Sequence, residues 1–127
     1  MPQIHWDLHK RKKTGGRKGI WRKKRKYEMG GDPVKTKLGE RRAKLERTKG
    51  GGLKIKLLSD LYANVFNPKT GKCSKVRILK VERNPAETNY DREGIITKGA
   101  ILLTELGKAV VTSRPGQNGV INAVLVD

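Results

Sequence analysis

The chain has 127 residues and carries 30 Lys and Arg against 12 Asp and Glu, which gives a formal net charge of +18. This excess predicts a polyanionic partner, and nucleic acid is favoured over a membrane because neither an amphipathic apolar face nor a lipidation signal accompanies the charge. A single cysteine excludes an internal disulfide framework, and the lack of a signal-peptide core or an apolar run near ~18 residues predicts a soluble intracellular protein without a membrane partner.

Residues 1–33 are predicted to form a basic arm that ends at the turn-forming Asp32-Pro33 pair. Within the arm, residues 10–26 (KRKKTGGRKGIWRKKRK) hold eleven Lys or Arg in seventeen positions and no acidic residue. Burying an unpaired cation costs several kcal/mol, so this segment cannot have a core of its own. We therefore predict a long disordered arm that becomes ordered when a polyanion neutralises it.

From Val34 onward, apolar residues alternate with basic ones, as in the run 53–57 (LKIKL). This period of two is typical of strands with one buried face and one wet face. In the run 76–81 the pattern slips by one position, from Val76 and Ile78 to Leu79 and Val81. Further strands are predicted at 34–38, 95–97, 100–105, 108–113 and 120–126, separated by Gly and Pro turns at 49–52, 67–71, 84–85, 106–107 and 114–119.

Many short strands without a helical period predict an all-β fold, a small closed or nearly closed β-barrel over residues 34–127 that follows the disordered arm. The segment 40–48 is compatible with a helical turn, but we favour a strand that pairs across the glycine turn with 53–59. Because this region contains few aromatic residues, its core must be aliphatic.

The glycine-rich segments fit no nucleotide-binding motif. The run 15–19 (GGRKG) matches neither G-x-G-x-x-G nor the P-loop, and 70–72 (TGK) lacks the upstream glycine and the following Ser or Thr. His5 and His9 have the spacing of two ligands on a helix face, but Cys73 is the only other soft ligand, so no metal site is predicted.

Catalytic residues are not indicated either. No recognisable pair is formed by the carboxylates that could act in catalysis, namely Asp60, Glu82, Asp91, Glu93 and Glu105, and no Ser/His/Asp or Cys/His arrangement is present. We predict that the chain is not an enzyme and takes no cofactor and no small-molecule substrate.

Several blocks of the sequence resemble a known family. The segment from His9 to Gly30, with HKRKKTGGRKG followed by KKRKYEMG, is similar to the N-terminal signature of the archaeal and eukaryotic S-eight-e (S8e) family of small-ribosomal-subunit proteins. The C-terminal segments 96–99, 105–108 and 112–117 (TSRPGQ) also resemble this family, and the short length is similar to its archaeal form. The chain departs from the family pattern at Gly31 and at Gly52-Leu53.

The resemblance implies a structural constituent of the small subunit, in the cytoplasmic ribosome, whose arm and barrel bind ribosomal RNA beside neighbouring ribosomal proteins. A reversible RNA-binding translation factor or RNA chaperone is the alternative. The residues expected to bind RNA are Lys10, Arg11, Lys12, Lys13, Arg17, Lys18, Trp21, Arg22, Lys23, Lys24, Arg25, Lys26, Arg41, Arg42, Lys54, Lys56 and Arg114. An anchoring role on a neighbouring protein stays open for Trp6 and Trp21.

Arg114 is singled out by the turn that follows it. Pro115 and Gly116 suit the two central positions of a type II turn, which would hold the Arg114 guanidinium in a fixed position toward RNA phosphate. The alternative is a local ion pair of Arg114 with Glu105 or Asp127.

Overall fold

The computed structural model describes residues 3–126, and the chain divides into two compact units between Pro33 and Val34. In the N-terminal unit, strand β1 (Gln3–Ile4) pairs antiparallel with β2 (Met29–Gly30), which follows a 3-10 turn at Lys26–Glu28. No side chain described between residues 4 and 33 is buried. The inference that residues 10–26 have no core of their own is therefore confirmed, whereas the disorder of the arm in solution stays a prediction.

The second unit consists mostly of strands. In chain order its elements are β3 (Lys37–Leu38), β4 (Arg42–Arg47), β5 (Leu53–Asp60), β6 (Tyr62–Asn67), β7 (Lys72–Arg83), α1 (Thr88–Glu93), β8 (Ile101–Thr104), β9 (Gly107–Val111), α2 (Pro115–Asn118) and β10 (Asn122–Leu125).

Strands β10, β6, β7, β8 and β9 close into a barrel in that order. All neighbouring pairs are antiparallel except β10 with β6, which is parallel. A separate three-stranded sheet has β5 between β3 and β4. The predicted all-β barrel is confirmed, and so is the predicted pairing of 40–48 with 53–59, since β4 runs antiparallel to β5.

The interior of the barrel is aliphatic, as predicted. Complete burial of each large aliphatic side chain contributes about 1.5–3 kcal/mol to stability, so these side chains are the main stabilising component of the unit. The largest buried aliphatic side chains of the unit are Leu57, Val65, Ile78, Ile95, Ile96, Leu102, Val111 and Ile121.

Strand β7 contains the irregularity that its sequence indicates. Val76 and Ile78 are buried, Leu79 is exposed, and Val81 is again partly buried. The pairing of β7 with β8 shifts register between Ile78 and Lys80. An extra residue at this point returns the following side chains to the correct face, which is what a β-bulge does.

The predicted strand at 95–97 is wrong. Ile95 and Ile96 are buried, but they lie in a loop after α1, whose end is marked by Gly94 at φ +68°. The buried Asn84 side chain donates from its amide to the carbonyl of Ile95 at 2.7 Å, and the Ile96 N–H donates to Thr36 at 2.8 Å. A short apolar run cannot be distinguished from such a buried loop by periodicity.

Candidate nucleic-acid interface

The basic arm is bent at its glycine step. The N–H of Lys12 donates to the carbonyl of Gly16 at 3.0 Å, the N–H of Gly15 donates to Lys12 at 2.9 Å, and Arg11 forms a β-bridge with Arg17. Gly15 has φ +87°, a conformation that favours glycine. The turn brings the backbones of two Arg residues together and leaves both side chains exposed.

The two acidic side chains before residue 30 are paired within the arm. Asp7 accepts a hydrogen bond from Lys18, which lowers the pKa of this carboxyl group. Glu28 accepts hydrogen bonds from Nη1 and Nη2 of Arg22, and this bidentate contact lowers the pKa of Glu28 to about 2. Two of the predicted RNA-binding residues, Lys18 and Arg22, therefore have local partners.

The other predicted cations of the arm project into solvent. No acidic residue lies between positions 10 and 26, so the run itself contains no carboxylate that could neutralise this charge. The exposed members are Lys10, Arg11, Lys12, Lys13, Arg17, Lys23, Lys24, Arg25 and Lys26.

The indole of Trp21 is 86% exposed, and the guanidinium carbon of Arg22 lies 5.4 Å from its ring centroid. An open cleft beside it is lined by Trp6, Leu8 and Ile20. An exposed indole with a guanidinium beside its ring can stack on a nucleobase or pack against a protein. Both the RNA-binding role and the protein-anchoring role of Trp21 are therefore sterically feasible.

The predicted RNA-binding residues on and beside β4 and β5 differ in their surroundings. Arg41 donates to Asp60, and Lys54 donates from Nζ to Oε1 of Gln117 at 2.8 Å. Lys56 forms an ion pair with Glu46, and this hydrogen bond lowers the pKa of Glu46. Arg42 is exposed. The structure therefore gives local partners to Arg41, Lys54 and Lys56, in contrast to most of the arm cations.

The predicted type II turn after Arg114 is wrong. Pro115 is the first residue of helix α2, and Gly116 lies within that helix, not at positive φ. The carbonyl of Arg114 accepts the N–H groups of Gln117 and Asn118, both at 2.9 Å. Proline at the first helical position is favoured because its fixed φ suits the helix and its missing N–H has no helical partner.

The Arg114 side chain itself is exposed. Among the described residues it has no ion pair with Glu105, and the other suggested partner, Asp127, lies outside the described residues.

A basic surface on β7 was missed in the sequence analysis. The side chains of Lys72, Lys75, Arg77, Lys80 and Arg83 are all exposed along this strand. Their spacing in the sequence is the signal that could have identified them, since cations recur every two or three residues on both sides of the buried Val76 and Ile78.

Neither a metal-binding cluster nor a bilayer-spanning helix occurs in the part of the chain that the structure describes. Within residues 3–126, no group of three His, Cys, Asp or Glu side chains is placed to hold a metal ion. No helix in the described part of the chain has the length and apolar character needed to cross a bilayer.

A cationic arm attached to a small β-barrel is typical of basic proteins that bind nucleic acid. The sequence model described as Ribosomal protein S8e matches residues 6–126, and the chain belongs to this family of ribosomal proteins. Family membership confirms the resemblance noted in the sequence, the assignment as a ribosomal protein and not an enzyme, and the location on the cytoplasmic ribosome.

Similar proteins have the name small ribosomal subunit protein eS8. The protein from Nanoarchaeum equitans is 53% identical over 105 residues, which cover 83% of each chain. The protein from Sulfolobus acidocaldarius is 50% identical over 117 residues and 91% of each chain. The protein from Methanospirillum hungatei is 51% identical over 117 residues, which cover 92% of this chain and 94% of the relative.

Proposed function

We propose that this protein is a structural constituent of the small ribosomal subunit that binds ribosomal RNA through its basic arm and the cationic faces of its barrel. The names of its relatives support assembly into the small subunit. The observation that carries RNA binding is the run 10–26, in which no acidic residue occurs and no side chain is buried.

Electrostatics accounts for the affinity in this proposal. Each Lys or Arg that contacts a phosphate releases condensed counterions, so binding is strong at low salt and weakens steeply as salt rises. Arg residues such as Arg11, Arg17 and Arg25 can contact two phosphate oxygens at once, whereas Lys acts as a point charge.

Recognition in this proposal depends mainly on RNA shape. Double-helical RNA hides its base edges in a deep, narrow major groove, so side chains contact phosphates and sugars there. The arm (residues 1–33) supplies most of the phosphate contacts, and the barrel (residues 34–127) supplies a folded surface that contacts RNA and neighbouring proteins. Trp21 and Arg114 belong to the proposed contact set because both are exposed.

The test is retention on the ribosome. A tagged full-length chain is expressed in a host whose own copy can be depleted, and small subunits are separated on gradients of rising salt. We expect the tagged chain to remain with the subunit under conditions that remove translation factors. Release at moderate salt would favour the alternative, a reversible RNA-binding factor or chaperone.

Two matched double variants test whether the arm cations contribute specifically or whether any loss of positive charge weakens incorporation. Arg11→Gln with Arg17→Gln removes two exposed arm cations, and Lys35→Gln with Lys108→Gln removes two barrel cations that already pair with Glu93 and Glu82. We expect incorporation into subunits to fall only for the arm pair. Equal loss in both variants would contradict a dominant role of the arm.

A further inference from the structure

Two of the three aromatic side chains in the barrel unit face outward from one strand. Tyr62 is 44% exposed and Phe66 is 40% exposed, while Ala63 and Val65 between them are buried in the core. An aromatic side chain buries 150–250 Å² when it is enclosed, the largest apolar area of any residue class. The fold nevertheless keeps its interior aliphatic and presents these two rings on the same face of β6.

Strand β7 supplies positive charge beside the rings. In the antiparallel register, Arg77 lies opposite Tyr62 and Lys75 lies opposite Asn64. The ammonium group of Lys75 is 4.9 Å from the Tyr62 ring centroid, within cation–π range. Neither β6 nor the segment 72–81 of β7 contains an acidic residue, so this face complements a polyanion.

The centre of the face is polar. The Asn64 side chain donates from Nδ2 to Oδ1 of Asn122 on β10 at 3.1 Å, and it lies between the two rings along the strand. A mostly apolar protein partner would have to desolvate this amide pair, which is unfavourable without replacement hydrogen bonds. Aromatic rings, cations and amides together fit a partner that has negative charge, π-faces and polar edges.

Single-stranded RNA has these properties, whereas duplex RNA does not expose the faces of its bases. Tyr62 and Phe66 are four residues apart, so their positions on the strand differ by about 13 Å at 3.3 Å per residue. This distance is too large for the rings to enclose one base from both sides. Each ring can instead stack on a separate base of the same strand.

We propose that the outer face of β6 and β7 is a stacking platform, formed by Tyr62, Phe66, Lys75 and Arg77, for unpaired bases of RNA. This inference rests on the proposed RNA-binding function and specifies which form of RNA the barrel contacts. In this proposal the cations contact mainly phosphates, and the two rings stack on base faces.

The first experiment measures the affinity of the full-length protein for two probes. One is an oligouridylate, and the other is a duplex RNA with the same number of phosphates. The measurements are made at elevated salt, where phosphate contacts are weakened. The variant Tyr62→Ala with Phe66→Ala is compared with Leu45→Ala with Leu53→Ala, which removes two other side chains of the same unit that are 61% and 64% exposed.

We expect the Tyr62/Phe66 variant to lose about 10-fold or more in affinity for oligouridylate, given typical losses for stacked aromatic residues. Its affinity for the duplex and both affinities of the Leu45/Leu53 variant should remain unchanged. Equal losses on both probes, or no loss on oligouridylate, would overturn the platform. Unchanged RNA affinities together with poor incorporation into small subunits would assign this face to a protein neighbour instead.

The second experiment needs no substitution. Cys73, the only cysteine of the chain, is exposed and lies opposite Phe66 in the register, so its thiol reports on this face. We expect saturating oligouridylate to slow its alkylation by the uncharged reagent N-ethylmaleimide, whereas the duplex should not. If oligouridylate binds without slowing the reaction, the platform is wrong while RNA binding stands; if neither probe binds, both proposals fail.

Discussion

The guanidinium of Arg41 donates from Nη1 to Oδ2 of Asp60 at 2.7 Å, and Asp60 is buried where β5 ends. The other carboxylate oxygen accepts the N–H groups of Leu61 and Tyr62, at 2.8 and 3.2 Å. One carboxylate therefore joins the residue before β4 to the corner between β5 and β6. That corner determines where β6, with Tyr62 at its start, enters the barrel.

The first prediction concerns this carboxylate. Asp60→Ala leaves two backbone donors without their acceptor, and such a loss destabilises a protein by about 1–3 kcal/mol. We expect the midpoint of urea unfolding to fall accordingly in Asp60→Ala. The midpoint should fall less in Asp60→Asn, because its amide oxygen can still accept hydrogen bonds. The control is the exposed Glu105→Ala, expected to lie within about 0.5 kcal/mol of the native protein. Equal midpoints for the alanine variants at 60 and 105 would contradict the role of Asp60.

The second prediction concerns the titration of Glu28. Its pKa is about 2, below the ordinary 4.5, because of hydrogen bonds from Arg22 and, to a smaller extent, from Trp6. A carboxyl group with a lowered pKa in the folded state stabilises that state above pH 4.5, and this contribution is lost as the pH falls toward about 2. We expect the Trp6 indole N–H resonance to follow this titration.

Glu28→Gln should abolish the pH dependence of that resonance. A midpoint near 4.5 would show that the Arg22–Glu28 pair is not maintained in solution. That outcome would support the disordered arm predicted from the sequence.

The third prediction concerns the salt dependence of RNA binding. Removal of one phosphate contact reduces the slope of log K against log salt by about 0.7 for a single strand or 0.9 for a duplex. For Arg11→Gln with Arg17→Gln we expect a slope smaller by about 1.4–1.8 if both residues contact phosphate. Lys35→Gln with Lys108→Gln should leave the slope nearly unchanged, because each of these cations is beside a carboxylate. Identical slopes for the two double variants would argue against direct phosphate contacts of the arm.

The fourth prediction concerns Gly119, which ends α2 at φ +73°. A Cβ atom at this position would lie 2.6 Å from Cγ2 of Ile55 on β5 and 3.3 Å from its carbonyl oxygen. Gly119→Ala therefore combines backbone strain with overpacking, for which we expect a loss of about 2–4 kcal/mol in thermal or urea unfolding. Gly71→Ala is the matched control, since Gly71 has φ +67° but open space around it, and should lose only about 1–2 kcal/mol. Similar losses would contradict close packing of α2 on β5.

The sequence predicted most strands from the alternation of apolar and basic residues, but on β5 this alternation did not reflect burial, since Leu57 is buried whereas Leu53 and Ile55 are 64% and 46% exposed. No strand was predicted at 62–67 (β6), because Tyr62, Ala63, Val65 and Phe66 are all apolar or aromatic, and only the closed barrel separates the buried ones from the exposed ones. The short apolar run at 95–97 resembles a strand, but Ile95 lies in a loop where its carbonyl accepts a hydrogen bond from the Asn84 side chain instead of from a neighbouring strand. Such pairings depend on tertiary structure and leave no periodic signal.

The candidate interface could likewise be predicted only in part, because the local partners of its side chains depend on tertiary structure. The density of charge in 10–26 follows from composition, so the arm could be identified without a structure. The local pairing of Lys18 and Arg22 could not, because their acidic partners lie outside the basic run. Residue type indicated a capacity to contact phosphate, and the fold determined which cations remain available for it.

The last prediction concerns Arg114, whose backbone is fixed by the hydrogen bonds that begin α2 while its side chain is exposed. Because no ion pair holds this side chain among the described residues, Arg114→Ala should change the free energy of unfolding by no more than about 0.5 kcal/mol. Arg114→Lys keeps the charge but loses the two-pronged contact with phosphate, so it should weaken RNA binding without altering stability. Filter binding and thermal unfolding of both variants make the comparison. RNA affinity unchanged in Arg114→Ala, together with a lowered melting temperature, would show that Arg114 acts in the fold and not at the RNA.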